Sequence, residues 1–408
     1  MSKAREYDVV IWGATGFTGR LVAEYYLKQY GLDGKLKWAM AGRSQQKLEQ
    51  IRSELGDKSI PLIVANSHDR DSLNAMAAST KVVCTTVGPY ALYGDELVAA
   101  CVEHGTDYCD LAGETPWIRR MIDQHNDAAK ESGARIVHCC GFDSIPSDLG
   151  VHFLQSKAKE VKGEYAQHVK MLLKSAKGAM SGGTYASMGN VMIEAEKDPV
   201  VYKMLFNPYG LNPKGEFSGP DKADLTTVKY DEDVDAFIMP FIMAAINTRV
   251  VRRSHALAGY PYGKDFKYDE AMISGKGIVG RLKGLAGLVA LGAMMAGKPD
   301  SFYKKMVNKF FPDPGEGPSK AEREAGFWNF TVVGKYADGE TIVARVTGDR
   351  DPGYGSTSKM LGESAVCLAL DSDKTDAVAG VLTPSVAMGD VLVERLNKHA
   401  GLSFTIVS

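Results

Sequence analysis

None of the six cysteines (Cys84, Cys101, Cys109, Cys139, Cys140, Cys367) stands in a Cys-x-x-Cys pair or a zinc-ligand spacing, so neither a zinc ribbon nor a thioredoxin-like redox pair is expected. No cluster of ligating residues suggests a metal site. Neither sign of charge dominates: 48 Lys and Arg face 50 Asp and Glu, a net of −2, and no nucleic-acid partner is expected from bulk charge. A Gly-x-Ser-x-Gly elbow and a Ser-His-Asp set are both missing, which removes the usual signatures of a serine hydrolase. Met1-Ser2-Lys3-Ala4-Arg5 is polar and carries no signal-peptide core, so a cytoplasmic location is expected. No uncharged apolar run reaches the ~20 residues that span a bilayer.

What is present begins at residue 9. Val9-Val10-Ile11-Trp12 leads into Gly13-Ala14-Thr15-Gly16-Phe17-Thr18-Gly19-Arg20, and helical spacing follows at Leu21, Val22, Tyr25 and Tyr26. An apolar strand that turns through glycines into a helix is the unit that binds a dinucleotide. Gly13 permits the tight turn, Gly16 lets backbone N–H groups approach a pyrophosphate, and Gly19 lets the helix pack close to the strand. The positive helix N-terminus faces the phosphates. The spacing is Gly-x-x-Gly-x-x-Gly rather than Gly-x-Gly-x-x-Gly, and its position after an apolar strand carries the argument. Gly13, Ala14, Thr15, Gly16, Phe17 and Thr18 are therefore candidate cofactor contacts.

The second strand candidate ends in Gly42-Arg43-Ser44, with no acidic residue at its tip. An acid there would hold the ribose 2′-OH of NAD. A guanidinium and a hydroxyl suit a 2′-phosphate, so Arg43 and Ser44 point to NADP. Stacking of Arg43 on the adenine is the alternative.

The first part of the chain alternates strand and helix. Strands are expected at 8–13, 37–42, 61–66, 81–88, 106–112 and 135–141, with helices such as 91–104 and 116–131 between them. Short continuous apolar runs fit strands covered on both faces, and the alternation implies a doubly wound parallel sheet. After Pro146 the rhythm changes. A strand is expected at 166–175, a long loop at 199–232, a hairpin across 327–347 around Ala337-Asp338-Gly339-Glu340, helices at 357–370 and 384–398, and a last strand at 403–407. The expected fold class is α/β: an N-terminal Rossmann-type doubly wound parallel sheet over 1–147, and a C-terminal α+β substrate and dimerisation domain with antiparallel strands over 148–408.

Residues 284–297 carry no charge, and Lys276, Arg281, Lys283, Lys298, Lys304 and Lys305 flank them. Fourteen residues are too few to cross a bilayer. A buried glycine-rich helix, a helix at a lipid or membrane interface and a dimerisation helix are the three readings.

Several residues follow the carboxyl ends of the expected strands, where ligands of doubly wound sheets lie. Val87, Gly88, Pro89 and Tyr90 follow the fourth strand and should flank the nicotinamide. Tyr90 and Tyr93 are phenols that could donate a proton, or rings that simply pack. Asp143 and Ser144 follow the sixth strand, with contact to nicotinamide or substrate as one reading and capping of the helix opened by Pro146 as the other. Asp110 and Glu114 are an acid–base pair only if they share a partner. Cys139 and Cys140 are expected inside the sixth strand, and His138 and His152 in the core. Ser181, Gly182, Gly183 and Thr184 open a helix able to hold a carbonyl oxygen of a substrate.

Four of these stretches together resemble one family. Gly13–Arg20, Thr85-Thr-Val-Gly-Pro-Tyr-Ala-Leu-Tyr-Gly94, Asp107-Tyr-Cys-Asp-Leu-Ala-Gly-Glu114 and Gly141-Phe-Asp-Ser-Ile-Pro-Ser-Asp148 resemble the saccharopine dehydrogenase-like oxidoreductases, and within them the trans-acting enoyl reductase branch of mycobacterial-type lipid synthesis. Ser181–Thr184, Pro240–Leu257 and Gly380–Gly389 extend the resemblance to nearly the whole chain. It implies NAD(P) in a cleft between the two domains and a last helix returning to the first domain; the candidate catalytic residues remain those read from their place at the strand ends, Tyr90 and Asp143. Eukaryotic relatives of this branch carry an apolar stretch in the same region and are associated with membranes and lipid droplets. Saccharopine-type enzymes bind an amino-acid carboxylate with clustered arginines. Arg249, Arg252 and Arg253 stand at i, i+3, i+4 of a helix and are expected as a solvated face, which does not support amino-acid specificity. The function expected is NADPH-dependent reduction of a C=C bond in a lipid or polyketide-type acyl substrate, free or carrier-bound, by a cytoplasmic protein with peripheral membrane or lipid contact through 284–297 and a homodimer as one assembly. The alternatives are an amino-acid or imine dehydrogenase and a non-catalytic NADP-binding protein.

Overall fold

The computed structural model describes residues 5–178, 182–295, 316–375 and 378–408, with the backbone alone for Gly182–Ala186, Met188 and Met295. Its first sheet contains β1 (Tyr7–Trp12), β2 (Trp38–Gly42), β3 (Leu62–Val64), β4 (Thr80–Thr85), β5 (Asp107–Cys109), β6 (Arg135–Val137) and β13 (Gly380–Leu382). The order is β13-β6-β5-β4-β1-β2-β3 and every pairing is parallel. Val9, Val10 and Ile11 are fully buried because helices cover both faces, which is why β1 is a continuous apolar run without alternation.

β13 comes from far along the chain. Arg253 holds it in place, donating to Val381 O and Leu211 O at 2.6 Å each. Helix Thr357–Leu370 also packs on the first sheet; Tyr26 donates to Gly362 O at 2.8 Å, and Arg135 to Leu368 O at 2.7 Å. Helix Pro384–Arg395 lies on helix Ile145–Lys162 and helix Thr357–Leu370, and its Arg395 reaches the Tyr30 hydroxyl at 2.8 Å.

The second sheet is mixed, in the order β14-β12-β11-β7-β10-β9-β8: β7 (His168–Lys177), β8 (Lys229–Asp231), β9 (Ala236–Met239), β10 (Lys267–Gly275), β11 (Phe327–Lys335), β12 (Thr341–Gly348) and β14 (Leu402–Ile406). β7 and β10 run parallel; the other pairs are antiparallel. Helices Ile145–Lys162 and Ala244–Leu257 pack on this sheet. The stretch 199–232 is not one long loop: it contains helix Pro199–Phe206, capped by Asp198, and β8. Cys139 and Cys140 lie beyond β6, in the turn that follows it. Burial pushes both thiols well up, so neither is a ready thiolate. His152 is half-buried and sits 2.9 Å from Asp390, at the surface and not in the core.

Arg249, Arg252 and Arg253 are buried on helix Ala244–Leu257, which overturns the solvated face. Arg249 pairs with Asp224, and Arg252 with Asp221 at 2.6 Å. Arg253 has no carboxylate within ion-pair distance among the described residues, and burial, then the charge of Arg119, brings its guanidinium down to about 9. Because these groups are engaged in holding 205–224 and β13, they form no open cationic pocket.

Candidate active site

The glycine turn stands at the carboxyl edge of the first sheet. Gly13 adopts φ +91°, and its N–H and that of Ala14 donate to Ala41 O at 3.0 and 3.1 Å. Those two amides therefore build the turn and are not available to a phosphate. The donors left are the first-turn N–H groups of helix Phe17–Tyr30, whose N-cap Gly16 offers no side chain and whose first turn has no acid. A helix end left this way favours an anion. At Gly19 a Cβ would lie 2.2 Å from Gly13 O, so only glycine permits this approach. The Phe17 ring does not face the turn's mouth; it packs edge-on against Tyr354, with Arg323 over its face.

Arg43 is exposed at the tip of β2 and makes no ion pair or hydrogen bond among the described residues. Ser44 caps helix Gln45–Leu55, accepting from Lys47 N at 3.4 Å, and that first turn is also free of acids. A Cβ on Gly42 would touch Thr15 Cγ2 at 3.4 Å, so the β2 tip and the glycine turn adjoin. An unpaired guanidinium, a hydroxyl and a second helix N-terminus together suit a 2′-phosphate.

At the end of β4 the Val87 N–H donates to Thr85 Oγ1 at 3.2 Å, and the Val87 side chain occupies the space that a Gly13 Cβ would need. Gly88-Pro89 follows with a cis bond, and Tyr90 opens the short helix Tyr90–Tyr93. The Tyr90 phenol is buried and used at both ends: it donates to Thr85 O (3.3 Å) and accepts from Leu111 N (3.1 Å), while its ring stacks on Trp117. Burial pushes its ionisation well up. Tyr90 is thus a packing residue, and the proton-donor role is corrected. Tyr93 is half-buried, edge-on to His68.

Glu114 and Asp110 do not form a pair. Glu114 is wholly buried and accepts from Tyr90 N (2.8 Å), Ala91 N (2.9 Å) and Ser187 Oγ (2.9 Å). It ties the Tyr90 turn to helix Gly182–Lys197. Ser181 lies outside the described residues, and Gly182, Gly183 and Thr184 are the first turn of that helix. Asp110 accepts from Tyr108, Ala112 N and Cys139 N and contacts His138 Nδ1 at 2.7 Å. Removing Glu114 strands the buried Tyr90 N–H, at roughly 1–3 kcal/mol, and the half-buried Ala91 N–H, at less. Glu114→Ala is expected to lower unfolding stability by about 3 kcal/mol in a denaturant titration, with Glu114→Gln falling between it and the parent.

Asp143 is different. It lies in the turn after β6, and no other described residue donates a hydrogen bond to its carboxyl. Burial, and then the charge of Asp110, hold it up at about 7. Its neighbour Ser144 does not cap the helix. The Ser144 hydroxyl donates to Asn247 Oδ1 (3.0 Å), and Asn247 Nδ2 donates to Glu270 Oε2 (2.9 Å). The Ser144 side chain is therefore turned away from the cofactor edge, into the second sheet.

These features can be set against known proteins. The saccharopine dehydrogenase NADP-binding domain matches residues 9–137. The trans-acting enoyl reductase of Mycobacterium ulcerans is 38% identical over 411 residues, covering 97% of this chain and 96% of its own. A protein of Mycobacterium tuberculosis given the same name provisionally is 42% identical over 412 residues, 98% and 97% of the two chains. The chain belongs to the trans-acting enoyl reductase family. Among solved structures, the apo saccharopine dehydrogenase (L-Glu forming) of Saccharomyces cerevisiae overlays with a TM-score of 0.53 at 12% identity, covering 98% of this chain and 99% of that one. It shares the fold.

This family member is accordingly an NADP-dependent oxidoreductase, with its cofactor domain built on the first sheet. The uncapped helix N-terminus, the Gly13–Gly19 contact and the unpaired Arg43 fit that group. Asn247 and Glu270, which orient the turn carrying Asp143, were not found from the sequence: they lie over a hundred residues beyond it, in a helix and a strand whose polar residues resemble any solvated face.

Proposed function

We propose that the protein reduces the C=C bond of an α,β-unsaturated acyl substrate, with Asp143 supplying the proton. NADPH, when bound, supplies a hydride to the β-carbon. The first-turn amides of helix Phe17–Tyr30 hold its pyrophosphate, and Arg43 and Ser44 its 2′-phosphate. Asp143 holds a proton near neutrality, gives it to the α-carbon and recovers one from solvent. Gly182–Thr184 orient the thioester carbonyl. The observation that carries the reading is the Asp143 carboxyl beyond the end of β6, to which no other described residue donates; a general acid works best when its pKa lies near the working pH, and reductases leave hydride chemistry to the cofactor. The test is NADPH oxidation by the purified protein on two panels, α,β-unsaturated acyl thioesters and amino-acid/keto-acid pairs. Turnover on the first supports the proposal; turnover on the second alone overturns it.

We also propose peripheral contact with an anionic membrane, from a cytoplasmic protein. Helix Gly277–Met295 is longer than the uncharged run, because Ile278 and Val279 extend it past Arg281 and Lys283. By length and composition it could cross a bilayer, but Gly280, Gly284 and Gly287 lie against the protein, where a Cβ would meet Gly275 O, Val228 and Met239. Ile278, Leu282, Leu285 and Val289, at i, i+4, i+7, i+11, point the other way; Ile278 is 75% and Val289 71% exposed. The helix has no acid, so its cations and outward aliphatics suit an anionic surface. Leu282→Ser/Val289→Ser should reduce co-sedimentation with phosphatidylglycerol–phosphatidylcholine vesicles about tenfold. Unchanged co-sedimentation, with an altered oligomeric state, would assign the stripe to a homodimer.

A further inference from the structure

Residues 316–326, which lead into β11, return to the glycine turn and lie against Phe17, the first residue of helix Phe17–Tyr30. A Cβ on Gly317 would stand 2.5 Å from Phe17 Cε1, so the chain touches the ring there. Tyr354 meets the ring edge-on at 4.8 Å and donates to Glu316 O at 3.2 Å, and the Arg323 guanidinium lies over the ring's face, 5.4 Å from its centroid. One aromatic ring thus stands between Arg323 and the backbone of Phe17, whose N–H is among the first-turn donors left for an anion.

Arg323 is held from its own side. Ser319 and Glu322 form a capping box on helix Lys320–Glu324. Asp351 N donates to Arg323 O at 3.0 Å, and Arg323 Nη1 donates to Pro318 O at 2.6 Å. The local acids are spent elsewhere. Glu322 accepts from Ser319 N and Oγ at 2.8 Å each, and Asp351 from Tyr354 N and Gly355 N at 3.0 and 2.8 Å. Arg20, the other cation on the Phe17 ring, pairs with Glu54 at 3.2 Å. Arg323 is half-buried and has no carboxylate within ion-pair distance among the described residues. A guanidinium beside the positive end of a helix is unfavourable, and this first turn carries no acid to offset it. An anion between the two relieves both.

We propose that Arg323 is a cofactor-binding residue, its guanidinium holding the pyrophosphate of NADP against the first-turn amides of helix Phe17–Tyr30. The proposal rests on the NADP placement given above, not on the enoyl reaction, and adds a contact from outside the matched residues 9–137. Arg43 reads the 2′-phosphate; Arg323 reads the group that NADP and NAD share.

The test is isothermal titration of NADPH, NADH and adenosine 2′-monophosphate into the parent, Arg323→Met and Arg323→Lys. Methionine keeps an apolar stem on the Phe17 ring without the charge. Both dinucleotides are expected to bind about tenfold more weakly to Arg323→Met, with Arg323→Lys in between. Adenosine 2′-monophosphate lacks the pyrophosphate and should bind as to the parent, which also shows that the nucleotide site of each variant is folded. Parental affinity for NADPH in Arg323→Met would overturn the proposal. So would loss of NADPH alone, which assigns Arg323 to the 2′-phosphate, and equal loss of all three ligands, which makes it a brace for the Phe17 ring. A parent that binds neither dinucleotide would defeat the NADP placement and the proposal with it, a failure seen before any variant is titrated.

Discussion

Asp143→Asn is expected to lower kcat by about 10²–10⁴-fold, the range a positioned general acid contributes, while leaving NADPH affinity nearly unchanged. The parent enzyme should lose kcat as pH rises through about 7, because the carboxyl that gives the proton is then ionised; the Asn variant should show no such step. Stability supplies an independent check. A carboxyl whose folded pKa is raised stabilises the fold fully only below its ordinary value near 3.8, and that contribution is lost as pH climbs through the folded value of about 7. Asp143→Asn should therefore raise the thermal midpoint at pH 8 and leave it unchanged at pH 4. A variant that is both more stable at pH 8 and far slower marks a residue kept for chemistry. An Asn variant with parental kcat would remove Asp143 from the reaction.

Arg43→Asp is expected to weaken NADPH binding by about 10- to 100-fold, the loss of one charge-assisted, bidentate contact with a phosphate. NADH affinity should hold or improve, since an acid at the tip of β2 can accept from the 2′-hydroxyl. Isothermal titration with both nucleotides separates the outcomes. Equal loss for both would show that Arg43 stacks on the adenine instead of reading the 2′-phosphate.

The two predictions rest on residues of different legibility. Arg43 and the Gly13–Gly19 turn were readable because strand, turn and helix are adjacent in sequence, and each glycine answers a local steric demand. Asp143 was readable as a position at a strand's end, but not as a carboxyl without a donor, which depends on Asp110 and on the packing around the turn. Tyr90 shows the limit. A phenol beside a cofactor turn suggests a proton donor, yet its hydroxyl is consumed by Thr85 O and Leu111 N, partners that only the fold brings within reach. The arginines of helix Ala244–Leu257 misled for the same reason. Their i, i+3, i+4 spacing looks solvated, and only residues 205–224 and β13, folded back over them, make the positions interior. β13 was itself hidden, since three residues paired with β6 across more than two hundred positions leave no local period. The uncharged stretch from residue 284 was legible, but not which side of its helix faced out. Gly280, Gly284 and Gly287 face the protein while Ile278, Leu282, Leu285 and Val289 face solvent, the reverse of a core helix.

The most direct measurement of the central claim is reduction of a trans-2-enoyl thioester with NADPH deuterated at the transferring position, followed by mass spectrometry and NMR of the product. The account predicts one deuterium at the β-carbon and one solvent-derived hydrogen at the α-carbon, with the rate of product formation falling in Asp143→Asn. A reduced product without deuterium, or one carrying the cofactor's deuterium at the α-carbon, would contradict it.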